Sequence, residues 1–70
     1  RELAEEMAAR CRTQKRPKYY CIYRYRNVIF GKDDYAYCVS EAQYQIQMQS
    51  PATGKVTILW SSEKFRKLHG

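Results

Sequence analysis

The sequence predicts a small α+β domain: a short N-terminal helix, a three-stranded antiparallel β-meander, and a short C-terminal helix packed on one face of the sheet. Three observations carry that expectation. Apolar residues near the start repeat at helical spacing. From Tyr19 the chain turns abruptly to aromatic and β-branched residues. Two turn signals, Gly31-Lys32-Asp33-Asp34 and Pro51-Ala52-Thr53-Gly54, then divide the remainder into strands. With 70 residues there is room for one domain, 1–70, and a chain of that size buries only about 60% of the surface it exposes when unfolded. Hydrophobic residues make up 44% of it, with seven tyrosines and only three Gly and two Pro, so a folded core is expected rather than disorder. The chain begins with Arg rather than Met, as an excised piece of a longer protein would.

The first helix is expected at 2–13. Leu3, Met7 and Cys11 recur at i, i+4 and i+8 with Ala4 and Ala8 beside them, a narrow stripe that must dock on a sheet. Glu2, Glu5 and Glu6 fall in the first turns and Arg10 and Arg12 in the last, as the helix dipole favours, and Glu6 and Arg10 stand four apart. Thr13 to Lys18 is a polar, basic connector in which Pro17 disfavours further helix. Strands are expected at 19–30, 35–49 and 55–60. In the second, Gln43, Gln45, Gln47 and Gln49 alternate with Tyr44, Ile46 and Met48, and Ser40-Glu41-Ala42 reads as a bulge. Ser61 or Ser62 then caps a final helix, 62–69, with Phe65 and Leu68 at i, i+3.

Register follows from the turns. With Gly54 as the left-handed residue of a bulged hairpin, Met48 faces Val56, Ile46 faces Ile58 and Tyr44 faces Trp60, which gathers the large apolar residues on one side. Pairing Phe30 with Tyr35 sets Arg24 opposite Glu41 and Arg26 opposite Val39. It also holds Cys21 and Cys38 about six positions apart, beyond disulfide reach. Both helices are then expected on the face carrying Cys21, Tyr23 and Tyr25. The other face, with Ile22, Arg24, Arg26 and the glutamine row, stays open, and strand 19–30 lies at an edge.

Several classes of function find little support. The single histidine, His69, sits at the C-terminal end, where fraying is expected, and Asp33 and Asp34 occupy a turn that favours Asp for conformational reasons. Gly31, Gly54 and Gly70 are isolated, so no phosphate-binding loop is present. Cys11, Cys21 and Cys38 are odd in number and contain no C-x-x-C, which suits neither a disulfide framework nor a zinc site. The expectation is a non-enzyme without cofactor or metal, in a reducing intracellular compartment, cytoplasmic or nuclear. No apolar run approaches the ~18 residues of a membrane span, so no membrane partner is expected.

Charge supplies the positive signal. Thirteen Lys and Arg against seven Asp and Glu give a net charge of +6, a field that favours phosphate-rich or acidic partners. Arg24 and Arg26 share one strand face, and Gln43, Gln45 and Gln47 are placed beside them. Arginine grips phosphate or reads guanine, and glutamine pairs with adenine. Arg12, Lys15, Arg16 and Lys18 anchor phosphates from the connector, and Lys64 and Lys67 from the last helix. The expected function is therefore non-catalytic binding of DNA or RNA. As architecture, the expected fold resembles small DNA-binding domains that read a groove with a three-stranded sheet, an analogy of shape without shared motifs. The competing class is a protein-interaction module or small inhibitor, for example a viral one, that meets an acidic protein surface or forms a homodimer through the edge strand. An exposed patch of Tyr20, Tyr35 and Tyr37 would favour protein; a surface dominated by Arg24 and Arg26 would favour nucleic acid.

Overall fold

The computed structural model describes residues 3–70. Its elements run α1 (Ala4–Thr13), β1 (Cys21–Asn27), β2 (Lys32–Cys38), α2 (Glu41–Met48), β3 (Thr53–Ser61) and α3 (Glu63–His69). The α+β class and the three-stranded antiparallel sheet between terminal helices are those the sequence predicts. The predicted helix start at residue 2, and Glu2 with it, lies outside the described residues.

Along the sheet the order is β2-β1-β3, so β1 is the centre and not an edge. Cys21, Ile22 and Tyr23 are buried in succession, and a strand covered on both faces needs such a continuous apolar run. The edges fall to β2, which carries Lys32, Asp33 and Asp34, and to β3, which carries Lys55, and charge on an edge discourages stray pairing. Both edge strands run antiparallel to β1 and hence parallel to each other, so the chain between them must cross from one side of β1 to the other.

That crossing is made by α2, where the sequence reading continues the second strand to residue 49. Ser40 Oγ accepts the Gln43 N–H at 3.2 Å, and the Gln43 carboxamide accepts the Val39 N–H at 2.7 Å, a reciprocal arrangement close to a capping box. Tyr44 and Met48 pack on the core while Ile46 is exposed. Residues four apart satisfy a helix as well as an alternating strand, so Tyr44 and Met48 fit both readings and only Ile46 separates them. The predicted pairings of Tyr44, Ile46 and Met48 with β3 are accordingly not made. Val56 faces Tyr25, and Ile58 faces Tyr23.

The first hairpin also turns three residues earlier than predicted. The Asn27 carboxamide oxygen accepts from the N–H groups of Ile29 and Phe30, each at 3.1 Å. Gly31 N–H donates to Asn27 O at 2.8 Å, with Gly31 at φ +70°. This local capping overrides the strand propensity of Val28-Ile29-Phe30 and ends β1 at Asn27. Arg24 thus faces Tyr35, Arg26 faces Asp33, and Cys21 lies directly opposite Cys38 instead of far along the ladder. All three cysteines are free and buried.

Two cores result, one on each side of β1. On one side Cys21, Tyr23 and Cys38 pack with Tyr20, Phe65, Tyr44 and Met48 beneath α2 and α3. On the other, Ala4, Ala8 and Cys11 of α1 lie on Ile22, with Tyr35, Leu59 and Trp60 around them. The helices therefore divide between the two faces instead of sharing one. The small Ala and Cys side chains let α1 approach closely, while Leu3 stays exposed.

Candidate nucleic-acid interface

The connector does not stray from the body. Tyr20 closes it by donating its N–H to Cys38 O at 2.8 Å and accepting the Ser62 N–H on its carbonyl at 2.9 Å, so residue 20 is clamped between β2 and the start of α3. Tyr19 packs edge-on against Tyr37, ring centres 4.9 Å apart. α3 begins at Ser62, whose Oγ accepts the Phe65 N–H at 3.2 Å, and buried Phe65 sets the helix rotation. That rotation leaves Lys64 and Lys67 exposed beside the connector.

Two open depressions form there. One, of about 500 Å³, is lined by Arg10, Lys15, Arg16, Lys18 and Tyr19 among others. The second, of about 490 Å³, is lined by Pro17, Lys18, Tyr19, Lys64 and Lys67. Lys18 and Tyr19 line both, so the two depressions adjoin, and together they form a basic, concave surface from residues far apart in sequence. Glu63 lies within it and meets Lys67 at 3.3 Å, but an exposed i,i+4 pair contributes only about 0.3–0.5 kcal/mol and leaves Lys67 available to a polyanion.

The sheet arginines occupy a different place. α1 covers only the Ile22 end of its face. Toward the hairpin, a shallow depression of about 280 Å³ is lined by Arg24, Arg26, Lys55, Thr57 and Asp33. Arg26 and Asp33 stand 3.6 Å apart, both half exposed. Lys55 belongs to this group and the sequence reading missed it, because the residue joins the arginines only once β3 pairs with β1.

Two predicted contributors are elsewhere. Gln43, Gln45 and Gln47 lie on α2, which packs over the opposite face from Arg24 and Arg26, so no glutamine row flanks the arginines. Gln45 donates to Glu41 Oε2 at 2.6 Å, and Gln47 to Thr53 Oγ1 at 3.1 Å. Arg12 is exposed but donates to Leu59 O at 3.1 Å, pinning α1 to β3. Arg10, part of the basic run that the sequence shows but not among the residues expected to anchor phosphates, lines the concavity, and so does Tyr19. Their signal was position alone, one at the last turn of α1 and one next to Pro17.

Nearby polar chemistry is structural in character. Glu41 Oε1 takes the Tyr20 hydroxyl at 2.6 Å and lies 2.8 Å from His69 Nε2. His69 stacks at 4.5 Å on Phe65, so it is held in place where fraying was expected. Hydrogen bonds from His69, Tyr20 and Gln45 bring the Glu41 carboxyl down to about 2. Burial, with smaller help from Glu41, pushes Tyr20 up to about 12, and burial does the same for Cys21. Each shift moves its group away from the range useful to a general acid, base or nucleophile near neutral pH. Among the described residues no group of three or more His, Cys, Asp or Glu is arranged to hold a metal ion, and no helix is long and apolar enough to cross a membrane. Compared with family models, curated proteins and solved structures, the chain matches none.

Proposed function

We propose that this chain is a non-catalytic nucleic-acid-binding domain that grips the phosphate backbone of DNA or RNA through Lys15, Arg16, Lys18, Lys64 and Lys67. The observation that carries the reading is the meeting of the connector and α3 at two adjoining basic depressions that share Lys18 and Tyr19. A phosphate backbone presents regularly spaced charge, and a concave row of flexible cations follows it. The tyrosines add support. Tyr20 is buried and Tyr35 half-buried beside α1, which leaves Tyr37 as the exposed one of the three, while Arg24 and Arg26 are both exposed. The three free, buried thiols suit a reducing intracellular compartment.

A second reading has one observation in its favour. Exposed Val39 and Leu68 lie with Lys64 and Lys67 in a depression of about 450 Å³ next to the concavity, which would suit an acidic protein segment bearing an apolar side chain. Fluorescence anisotropy with labelled duplex DNA, single-stranded DNA and RNA across a salt series decides between the two. Affinity that falls linearly in log–log salt is expected for phosphate contacts. No binding at about 50 mM salt rejects nucleic acid and leaves the protein partner.

A further inference from the structure

Val28, Ile29 and Phe30, consecutive at the tip of the β1–β2 hairpin, are 54, 67 and 73% exposed. The backbone beneath them is fixed. Buried Asn27 caps two of their N–H groups, and Val28 N–H donates to Ala52 O at 2.9 Å. Gly54 leaves the space that Val28 fills, since a Cβ there would stand 2.8 Å from Val28 Cγ1. Val28 thus leans on β3, while Ile29 and Phe30 are left the more exposed above a buried polar cap, at a cost in exposed apolar surface that calls for an occupant.

Charge near the tip decides which occupant. On one face of the hairpin Arg24, Arg26 and Lys55 line a depression together with Asp33, which lies 3.6 Å from Arg26. On the opposite face Lys32 is balanced by Asp34, whose carboxylate lies 3.5 Å from the Tyr25 hydroxyl. An anionic bilayer surrounds an inserted tip and favours cations on every side. A nucleic-acid strand lying along the face of Arg24, Arg26 and Lys55 meets them with its phosphates while the tip reaches its bases, and the cations are one-sided.

We propose that Val28-Ile29-Phe30 is an apolar wedge that enters between stacked bases, with Arg24, Arg26 and Lys55 on the adjacent phosphates. Proteins that insert Phe or Ile at a base step unstack it and bend the strand. The inference rests on the nucleic-acid reading above and adds a contact with bases, made by residues outside the basic concavity.

The test uses the whole chain, a short duplex and a single strand, each carrying 2-aminopurine, whose fluorescence rises on unstacking. The wild-type chain should bind and brighten the reporter. Ile29→Ser with Phe30→Ser, both at exposed positions, should bind about tenfold more weakly or worse, leave the reporter dark, and keep the salt slope, because the phosphate contacts remain. Equal affinity and equal brightening in the double variant overturn the wedge alone and leave the nucleic-acid reading intact. A wild-type chain that binds but leaves the reporter dark does the same. A wild-type chain that binds no nucleic acid overturns both readings. Sedimentation with phosphatidylserine vesicles that the double variant loses, while its nucleic-acid binding is unchanged, assigns the tip to a lipid surface instead.

Discussion

The Tyr20 hydroxyl donates to Glu41 Oε1 at 2.6 Å, and this contact ties the residue entering β1 to the first turn of α2. Since a carboxylate only accepts, His69 Nε2, 2.8 Å from the same oxygen, is the donor there and brings the end of α3 into the same knot. Glu41 in the folded chain ionises near 2, below the ordinary 4.5. A folded value below the unfolded one stabilises fully above about pH 4.5 and is lost as pH falls toward 2. Urea midpoints measured from pH 6 to pH 2 should therefore fall across that window, and Glu41→Gln should flatten the fall. Parallel profiles for the two proteins would place the acid sensitivity elsewhere.

The alkaline limb has the opposite sign. Burial raises Tyr20 and Cys21 to about 12 and moves Tyr23 in the same direction, with Cys38 adding to the effect on Cys21 and Tyr23. Groups whose folded values exceed their unfolded ones stabilise fully below the unfolded values, here 9 for Cys and 10 for Tyr, and that stabilisation disappears as pH rises toward 12. Circular dichroism should show cooperative unfolding between pH 9 and 12 in step with part of the tyrosinate absorbance. Complete tyrosine ionisation in a chain that is still folded would contradict this.

Ile22 of β1 packs against α1 with no exposed surface. Its truncation to Ala should cost about 2–5 kcal/mol, comparable with the roughly 3–5 kcal/mol that one small core supplies. Thermal denaturation should find Ile22→Ala largely unfolded at room temperature. Trp60→Ala, at a half-buried site in the same core, should lower the midpoint and retain a transition. An Ile22→Ala protein with an unchanged midpoint would show that α1 does not dock there.

Cations of similar appearance should separate by experiment. Lys18→Ala with Lys64→Ala should lower the slope of log affinity against log salt by about one for each phosphate that is no longer neutralised, with little change in melting temperature. Arg12→Ala should do the reverse, because its guanidinium donates to Leu59 O and so holds α1 on β3. An Arg12→Ala chain with normal stability and a reduced slope would return Arg12 to the interface.

Elements declared by local chemistry were legible in the sequence. The small-residue stripe of α1, the Ser62 cap of α3 and the aromatic run opening β1 each depend on neighbours a few positions away. α2 was missed because Tyr44 and Met48 fit two periods at once, although Ser40 and Gln43 already stood at capping-box spacing. The first strand is read three residues too far because Val-Ile-Phe has strong strand propensity, while Asn27 and Gly31 favour an earlier turn. The basic character of Lys15, Arg16, Lys18, Lys64 and Lys67 was also plain in the sequence. Their convergence was not, because it depends on Tyr20 being clamped between β2 and α3. The glutamine row vanished with the strand that was to display it.

The central position of β1 also orders the assembly of the molecule. Its pairing with β2 closes at Asn27 and Lys32, near neighbours in sequence, whereas its pairing with β3 must bring Cys21 to Ser61. Distant pairings form slowly because the chain entropy of the intervening loop is lost before contacts reward it. Leu59 and Trp60, which complete the seat of α1, arrive only with that last strand. α1 therefore cannot take its seat until β3, the last strand of the sheet, has paired.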